Sequence, residues 1–318
     1  RFEETDGALD AGYAEGDVSV LPDSERHDVQ WCIPEQFAVT VAFLTSVSGA
    51  GVHQMDLAER LPVEDRTGQE RAETLRRIVR DTFCFDIPAV RVDDGIWALE
   101  LFHGPTMAFK DVGARFMARI LSHFIEGRDD EHPVTVLVAT SGDTGGAVAN
   151  GFLGVEGIDV VVLYPKGRVS DIQEKQFTTL GRNITALEID GTFDDCQRLV
   201  KAAFMDRELG ERLSLTSANS INVARFLPQA FYYFNAYARL REAGLSGPIV
   251  VSVPSGNFGN LTAGLFAKRM GLPVKRFIAA NNRNDIFYHY LQTGSYEPRP
   301  SVATIANAMD VGDPSNFA

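Results

Sequence analysis

Short apolar runs of strand length recur through this chain, separated by segments whose apolar residues fall at helical spacing. The runs are Val134–Ala139, Val160–Tyr164, Ile184–Ile189, Ile249–Val253 and Phe277–Ala280. Strands apolar on both faces need helices on both faces, which is the arrangement of a parallel sheet joined by helical crossovers. The intervening segments agree with this. Val112, Phe116, Met117, Ile120, Leu121 and Phe124 mark one face of a helix that follows Lys110. Further helices are expected over Ala147–Leu153, from Ser170 to Leu180, from Thr192 onward, from Asn222 to Ala243, from Asn260 to Met270 and over Ile286–Leu291. Upstream, Leu75, Ile78 and Val79 repeat at helical intervals until Asp86-Ile87-Pro88 ends the segment. The expected class is α/β.

A chain of 318 residues with 45% hydrophobic content can bury the core of two domains, or of one large one. Its formal net charge of −13 disfavours nucleic acid or an anionic membrane as partner. An anionic ligand must therefore be held by local donors against the overall field. The cysteines Cys32, Cys84 and Cys196 form neither a CxxC pair nor a zinc spacing, and no metal site is expected. Reduced cysteines and an acidic N-terminus without the basic start of a signal peptide point to a cytoplasmic protein. The longest apolar stretch, Phe37 to Val47, is too short to span a bilayer. Residues 1–70 read as an irregular N-terminal segment with one or two short helices over 36–62. The chain starts at Arg1 and reads as a segment of a longer product.

Three motifs carry chemistry. Lys110 follows Ala108-Phe109, apolar surroundings in which a charged amine is costly, and the preceding Gly104-Pro105-Thr106 is a rigid turn. A lysine amine can form a Schiff base with an aldehyde. Ser255-Gly256-Asn257-Phe258-Gly259-Asn260 closes the Ile249–Val253 strand and opens a helix, the place where α/β sheets bind anions on free backbone N–H groups. Ser141-Gly142-Asp143-Thr144-Gly145 sits in the same strand-to-helix context. It lacks both the G-x-G-x-x-G spacing and a Gly-Lys-Ser/Thr ending, so nucleotide binding is disfavoured. An aldehyde and a phosphate on one cofactor describe pyridoxal phosphate. Asn219, Asn222 and Arg225 stand at another helix start, where they are either a cap with a surface arginine or a second anion site. Lys166-Gly167-Arg168 is best read as a solvated basic turn, and His103 is left without a role.

Together these motifs resemble the threonine synthases, fold-type-II pyridoxal-phosphate enzymes, from about Ala72 to Ala318. The stretches that carry the resemblance include Leu99–Thr106 with Phe109-Lys110-Asp111, Ala139–Gly145, Tyr164–Ser170, Thr216–Asn222, Pro254–Asn260 and Asp310–Ala318. The resemblance implies two α/β domains with parallel sheets covered by helices. Residues 71–318 would form the cofactor-binding region, as two interleaved subdomains at about 100–220 and 221–318. It implies that Lys110 bonds the cofactor and moves protons, that Gly256, Asn257, Phe258, Gly259 and Asn260 hold the cofactor phosphate, and that Phe109 packs nearby. Thr106 and the loop Ser141, Gly142, Asp143, Thr144 and Gly145 would meet the substrate. Asn219, Asn222 and Arg225 would take the phosphate of O-phospho-L-homoserine, which the family converts with water to L-threonine and phosphate. A related phospholyase, giving 2-oxobutyrate and ammonia, is the rival outcome; a truncated chain that binds without turnover is another. A monomer or homodimer is expected. The family's chain runs beyond residue 318, where it supplies a hydroxyl for the pyridine nitrogen and closes one side of the cleft.

Overall fold

A computed structural model describes residues 68–126, 133–219 and 222–317. The helices expected within 36–62, and Cys32, lie outside that range. The central unit is a four-stranded parallel sheet of order β5-β4-β3-β6, built from β3 (Val134–Ala139), β4 (Ile158–Pro165), β5 (Ile184–Ile189) and β6 (Ser214–Ser217). Helices cross over between the strands: α3 (Asp143–Phe152), α4 (Asp171–Thr178), and then α5 (Phe193–Met205) with α6 (Arg207–Arg212). Val136, Val138, Val160 and Val162 are fully buried, which is why β3 and β4 read as apolar runs. A second parallel pair, β7 (Ile249–Pro254) and β8 (Val274–Ala280), is followed by α10 (Ile286–Thr293) and joined by α9 (Gly259–Arg269). Upstream, β1 (Ala89–Asp93) and β2 (Ile96–Leu99) form an antiparallel hairpin.

The helix α2 (Lys110–Ile125) joins the two parallel units because both of its faces are apolar. Val112, Phe116 and Ile120 pack into a core with Leu75 and Ile78 of α1 (Gly68–Thr82) and with Phe231. Ala114, Met117 and Ala118 face the core of the four-stranded sheet. Burying a side chain such as Phe116 contributes about 1.5–3 kcal/mol, so two buried faces fix the helix firmly. Its N-terminus, and with it Lys110, is held where the two units meet.

The structure departs from the sequence expectations at a few places. The helix expected from Asn222 to Ala243 is three elements: α7 (Val223–Phe226), a 3₁₀ turn over Leu227–Gln229 and α8 (Ala230–Glu242). Pro228 causes the break, because it has no N–H to continue the ladder. The β1–β2 hairpin, α6 and β6 were not expected. Asp94-Gly95 at the hairpin tip, with Gly95 at φ 69°, is a turn signal that the sequence did carry.

The start of α5 is a capping box. Thr192 Oγ1 accepts from the Asp195 amide, and the Asp195 carboxylate accepts from the Thr192 amide at 2.8 Å. The Arg198 guanidinium, donating to the same carboxylate, and Thr192 hold the Asp195 pKa down at about 2. A carboxylate whose folded pKa lies below its unfolded value stabilises the fold above the unfolded value, and this contribution fades as pH falls through the folded one. Asp195→Asn is therefore expected to lower the urea midpoint at pH 7, with the gap to the parent closing progressively between about pH 4 and pH 2. An equal gap at both ends of that range would show that the carboxylate's charge has no part in the cap.

Candidate active site

The loop before α2 is tied to the helix it precedes. Asp111 is buried, and its carboxylate accepts from the Thr106 amide at 3.0 Å and the Thr106 hydroxyl at 2.6 Å. Burial pushes the Asp111 pKa up, against the pull of the two Thr106 hydrogen bonds. Gly104 lies flat on that carboxylate, in space a Cβ would occupy. Thr106 is thus a clamp for the loop, and its carbonyl accepts from Gln176 of α4 at 3.3 Å.

Lys110 opens α2 with its side chain 12% exposed. Its Nζ lies 2.7 Å from Asp143 Oδ2 and donates to Thr144 Oγ1 at 2.9 Å. The Phe109 ring lies beside it, its centroid 5.7 Å from Nζ. The amine is therefore ion-paired, not left in the apolar surroundings that Ala108-Phe109 suggested. Asp143 and Thr144 begin α3, directly after β3, so the sheet's carboxyl edge presents them to α2.

Thr140 shapes the glycine loop between β3 and α3. It is fully buried, and its Oγ1 accepts from the amides of Gly142 at 2.9 Å and Gly145 at 2.7 Å. Gly142, at φ 140°, turns the chain against Gln173 of α4, where a side chain would collide. Ser141 is half-buried in the same turn. Sequence reasoning passed over Thr140, whose signal was a hydroxyl residue ending an apolar strand before glycines.

The second loop, Ser255–Asn260, lies between β7 and α9. Ser255 Oγ donates to Asn260 Oδ1 at 2.6 Å, and Asn260 Nδ2 donates to the Pro254 carbonyl at 2.9 Å. Phe258 sits in the left-handed region at φ 59°, its ring buried against Phe287 and Phe317. The Asn257 side chain accepts from the amide and hydroxyl of Ser315, at 3.2 and 3.1 Å. The backbone amides of Gly256, Asn257, Phe258, Gly259 and Asn260 donate to no acceptor among the described residues. Five successive amides without acceptors at a helix start form a ready cradle for an oxyanion.

Asn219, Asn222 and Arg225 are all committed locally. Asn219 bridges to β3, donating to the Ala139 carbonyl at 2.9 Å and accepting from the Ala139 amide at 3.3 Å. Asn222 caps α7 through the Ala224 amide and donates to the Ser217 carbonyl at 2.6 Å. Asn222 is a helix cap, as one of the two readings has it; the intervening Ser220 and Ile221 lie outside the described residues. Arg225 is not on the surface. It is 1% exposed, its Nη1 donates to the Ala218 carbonyl at 2.6 Å, and its Nε has no partner among the described residues. Burial pushes the Arg225 pKa down to about 10, and the Asp143 carboxylate pulls it back up. Lys166 is a solvated cation, 3.8 Å from Glu188, and His103 is exposed and pairs with Glu100 at 2.7 Å.

These residues fit pyridoxal phosphate. A lysine amine with little solvent access meets the need for an aldehyde partner, and the unpaired amides of residues 256–260 meet the need for phosphate donors. Residues 75–318 match the model of the pyridoxal-phosphate dependent enzymes, and the chain belongs to that family. Among individual proteins, it is 55% identical over 251 residues to the threonine synthase of Serratia marcescens, covering 79% of this chain and 57% of that protein. It is 53% identical over 250 residues to the threonine synthase of Haemophilus influenzae, covering 79% of this chain and 58% of that protein. The chain thus spans less than two thirds of the length of these relatives. The solved threonine synthase of Escherichia coli superposes with a TM-score of 0.72 at 48% identity, over 88% of this chain and 60% of that one. The pyridoxal-phosphate-bound threonine synthase of Brucella melitensis gives 0.73 at 41% identity, over 88% of this chain and 57% of that one. The α/β class and the parallel sheets agree with these structures. Among the described residues, no helix is long and apolar enough to cross a membrane.

Proposed function

We propose that this chain carries the catalytic lysine and cofactor-binding elements of a threonine synthase, converting O-phospho-L-homoserine and water to L-threonine and phosphate. The observation that carries the reading is the Lys110 amine, held at 2.7 Å by Asp143 and at 2.9 Å by Thr144 on the edge of the Ser141–Gly145 loop. The identity to threonine synthases supports the choice of substrate. When bound, pyridoxal phosphate supplies an electron sink for charge developing on the substrate carbons. The protein's part is to bind, orient and move protons. Lys110 Nζ takes the proton from substrate Cα and returns protons along the substrate, a transfer that a positioned amine performs best when near the reacting atom. Asp143 receives the resulting ammonium as an ion-pair partner, and the Thr144 hydroxyl fixes its direction. The amides of Ser141 and Asp143, at the start of α3, have no acceptor among the described residues and suit the substrate's carboxylate. The amides of residues 256–260 hold the cofactor phosphate, with Asn260 and Ser255 bracing the loop. Asn219 and Asn222 support the site from behind as braces of β3 and α7. Residues 71–318 act as two subdomains with α2 between them.

The test is product analysis. The chain, loaded with pyridoxal phosphate and given O-phospho-L-homoserine, is expected to release phosphate and threonine in equal amounts. Equal amounts of phosphate and 2-oxobutyrate would instead identify a phospholyase. Cofactor bound with no product would show that a chain of this extent binds without turning over.

A further inference from the structure

We infer that Asp310 is a positioning residue for the cofactor phosphate, acting through its two chain neighbours, which lie on Gly256 of the Ser255–Asn260 loop. The inference rests on the reading of residues 256–260 as the phosphate cradle, and not on the identity of the substrate.

The contact with Gly256 is backbone on backbone. A Cβ built on Gly256 would stand 2.8 Å from Met309 Cα and 3.1 Å from Val311 Cγ2. Glycine permits so close an approach, and the position of Met309–Val311 therefore sets the position of Gly256. The same stretch of chain supports the next two loop residues: Ser315 and Asn316 hold Asn257, and Phe317 packs on Phe258.

Asp310, between Met309 and Val311, takes its partners elsewhere. Its half-buried carboxylate accepts four hydrogen bonds. Oδ2 accepts from the Thr304 amide at 2.8 Å, and Oδ1 from the Thr304 hydroxyl at 2.7 Å, Asn282 Nδ2 at 2.7 Å and Asn284 Nδ2 at 3.2 Å. The donors are themselves held. Asn282 Oδ1 accepts from the Asn284 amide at 2.9 Å, and Asn284 Oδ1 accepts from the Val302 amide at 2.7 Å. Asn282 stands two residues beyond β8, whose last residue, Ala280, accepts from the Ser255 amide at 3.1 Å. The network and the loop thus hang from one strand end.

All four donors to Asp310 are neutral, and they come from three places in the chain. A carboxylate accepts several such bonds at once, which suits it to gather separate segments around one point. As an anion it is no phosphate ligand. Its effect on the phosphate is geometric: hydrogen bonds weaken steeply when bent, so several amides grip one oxyanion only while all of them stay aimed. Lys110 is independent of this network, because its partners are Asp143 and Thr144.

That independence supplies the test. Uptake of pyridoxal phosphate and of pyridoxal, the same aldehyde without the phosphate, is measured side by side without substrate. Absorbance and the mass of the borohydride-reduced Lys110 peptide report it. With either aldehyde the amine nitrogen bonds the aldehyde carbon and the oxygen leaves as water. In Asp310→Asn, whichever way the amide turns, its NH₂ faces at least one amide donor. The half-saturating concentration of pyridoxal phosphate should rise about tenfold, as for the loss of one hydrogen bond to a charged group, while that of pyridoxal stays within about twofold. Thr304→Val should give a smaller shift with the same selectivity, and Thr304→Ser, which keeps the hydroxyl, should match the parent. Gly256→Ala, which keeps its amide but pushes on Met309 from the other side, should also lose pyridoxal phosphate selectively.

Equal weakening of both aldehydes in Asp310→Asn would overturn the inference, since that is the mark of a general loss of structure. So would unchanged uptake of pyridoxal phosphate, or a Gly256→Ala variant that keeps the full preference. If Asp310→Asn fails to fold, Thr304→Val decides by the same comparison. A parent that takes up both aldehydes equally well would overturn the cradle reading of residues 256–260 and this inference with it. A parent that prefers pyridoxal phosphate, beside variants that keep the preference, overturns the inference alone.

Discussion

Lys110→Ala, mixed with pyridoxal phosphate and treated with borohydride, should retain no cofactor on the peptide that contains residue 110, and phosphate release from O-phospho-L-homoserine should fall by about 10³-fold or more. The size of the effect follows from the site. Lys110 is the amine set against the Ser141–Gly145 loop, 2.7 Å from Asp143, with 12% of its side chain exposed. Lys166, by contrast, is 64% exposed on a solvated turn. Indiscriminate labelling would favour a lysine such as Lys166, so a label confined to the 12%-exposed amine would report a built site. In the variant, the Thr140 hydroxyl still accepts from the Gly142 and Gly145 amides, so the loop is expected to fold and the loss to be chemical. Unchanged circular dichroism with lost labelling is the expected pair of results. Undiminished labelling and turnover in Lys110→Ala would remove the lysine from the mechanism altogether.

Gly113→Ala should cost the largest stability of any single methyl added to α2. The new Cβ would meet the Arg225 carbonyl, a backbone atom fixed by α7 and unable to swing aside. Forcing extra volume into such a contact costs about 1–3 kcal/mol, and a clash against backbone belongs at the upper end. The gain in helix propensity, about 1 kcal/mol, offsets part of it. A net loss of about 2 kcal/mol is expected, read as a lower urea midpoint with little change in slope. Gly210 in α6 is the control, because nothing lies within 4 Å of a Cβ built there. Gly210→Ala should be neutral or stabilising by up to about 1 kcal/mol. Equal effects at the two sites would mean that the α2–α7 contact can relax freely.

Sequence patterning located most of the helices and the buried strands, and the physical reason is visible in the burial. Val134–Ala139 was legible to the residue because a strand under helices on both faces must be apolar throughout, and Ile184–Ile189 was located too, although Thr185, Leu187 and Glu188 of that edge strand are exposed. β6, Ser-Leu-Thr-Ser, was missed because it is a short edge strand with polar alternate residues. The site was legible in its parts. Lys110 and the two glycine loops announced themselves through residue type and context. Their joining was not: the Lys110–Thr144 bond closes a separation of 34 residues, which no periodicity records. Arg225 shows the limit most plainly. A charged residue one turn into a helix reads as surface, and only the packing of α7 against Gly113 explains why it is inside.

The brace on the second glycine loop also sets an order of events. Asn257 takes its partners from Ser315 and Asn316, 58 and 59 residues later in the chain. At a synthesis rate of roughly 5–20 residues per second, that loop waits several seconds for its support after it leaves the ribosome. Lys110 and its Asp143 partner need no such delay, since both precede β7. The half of the site that bonds the aldehyde can therefore be assembled while the half that grips the phosphate is still being made. A nascent chain halted before residue 315 would have its reactive amine in place ahead of the fully braced grip that holds the cofactor.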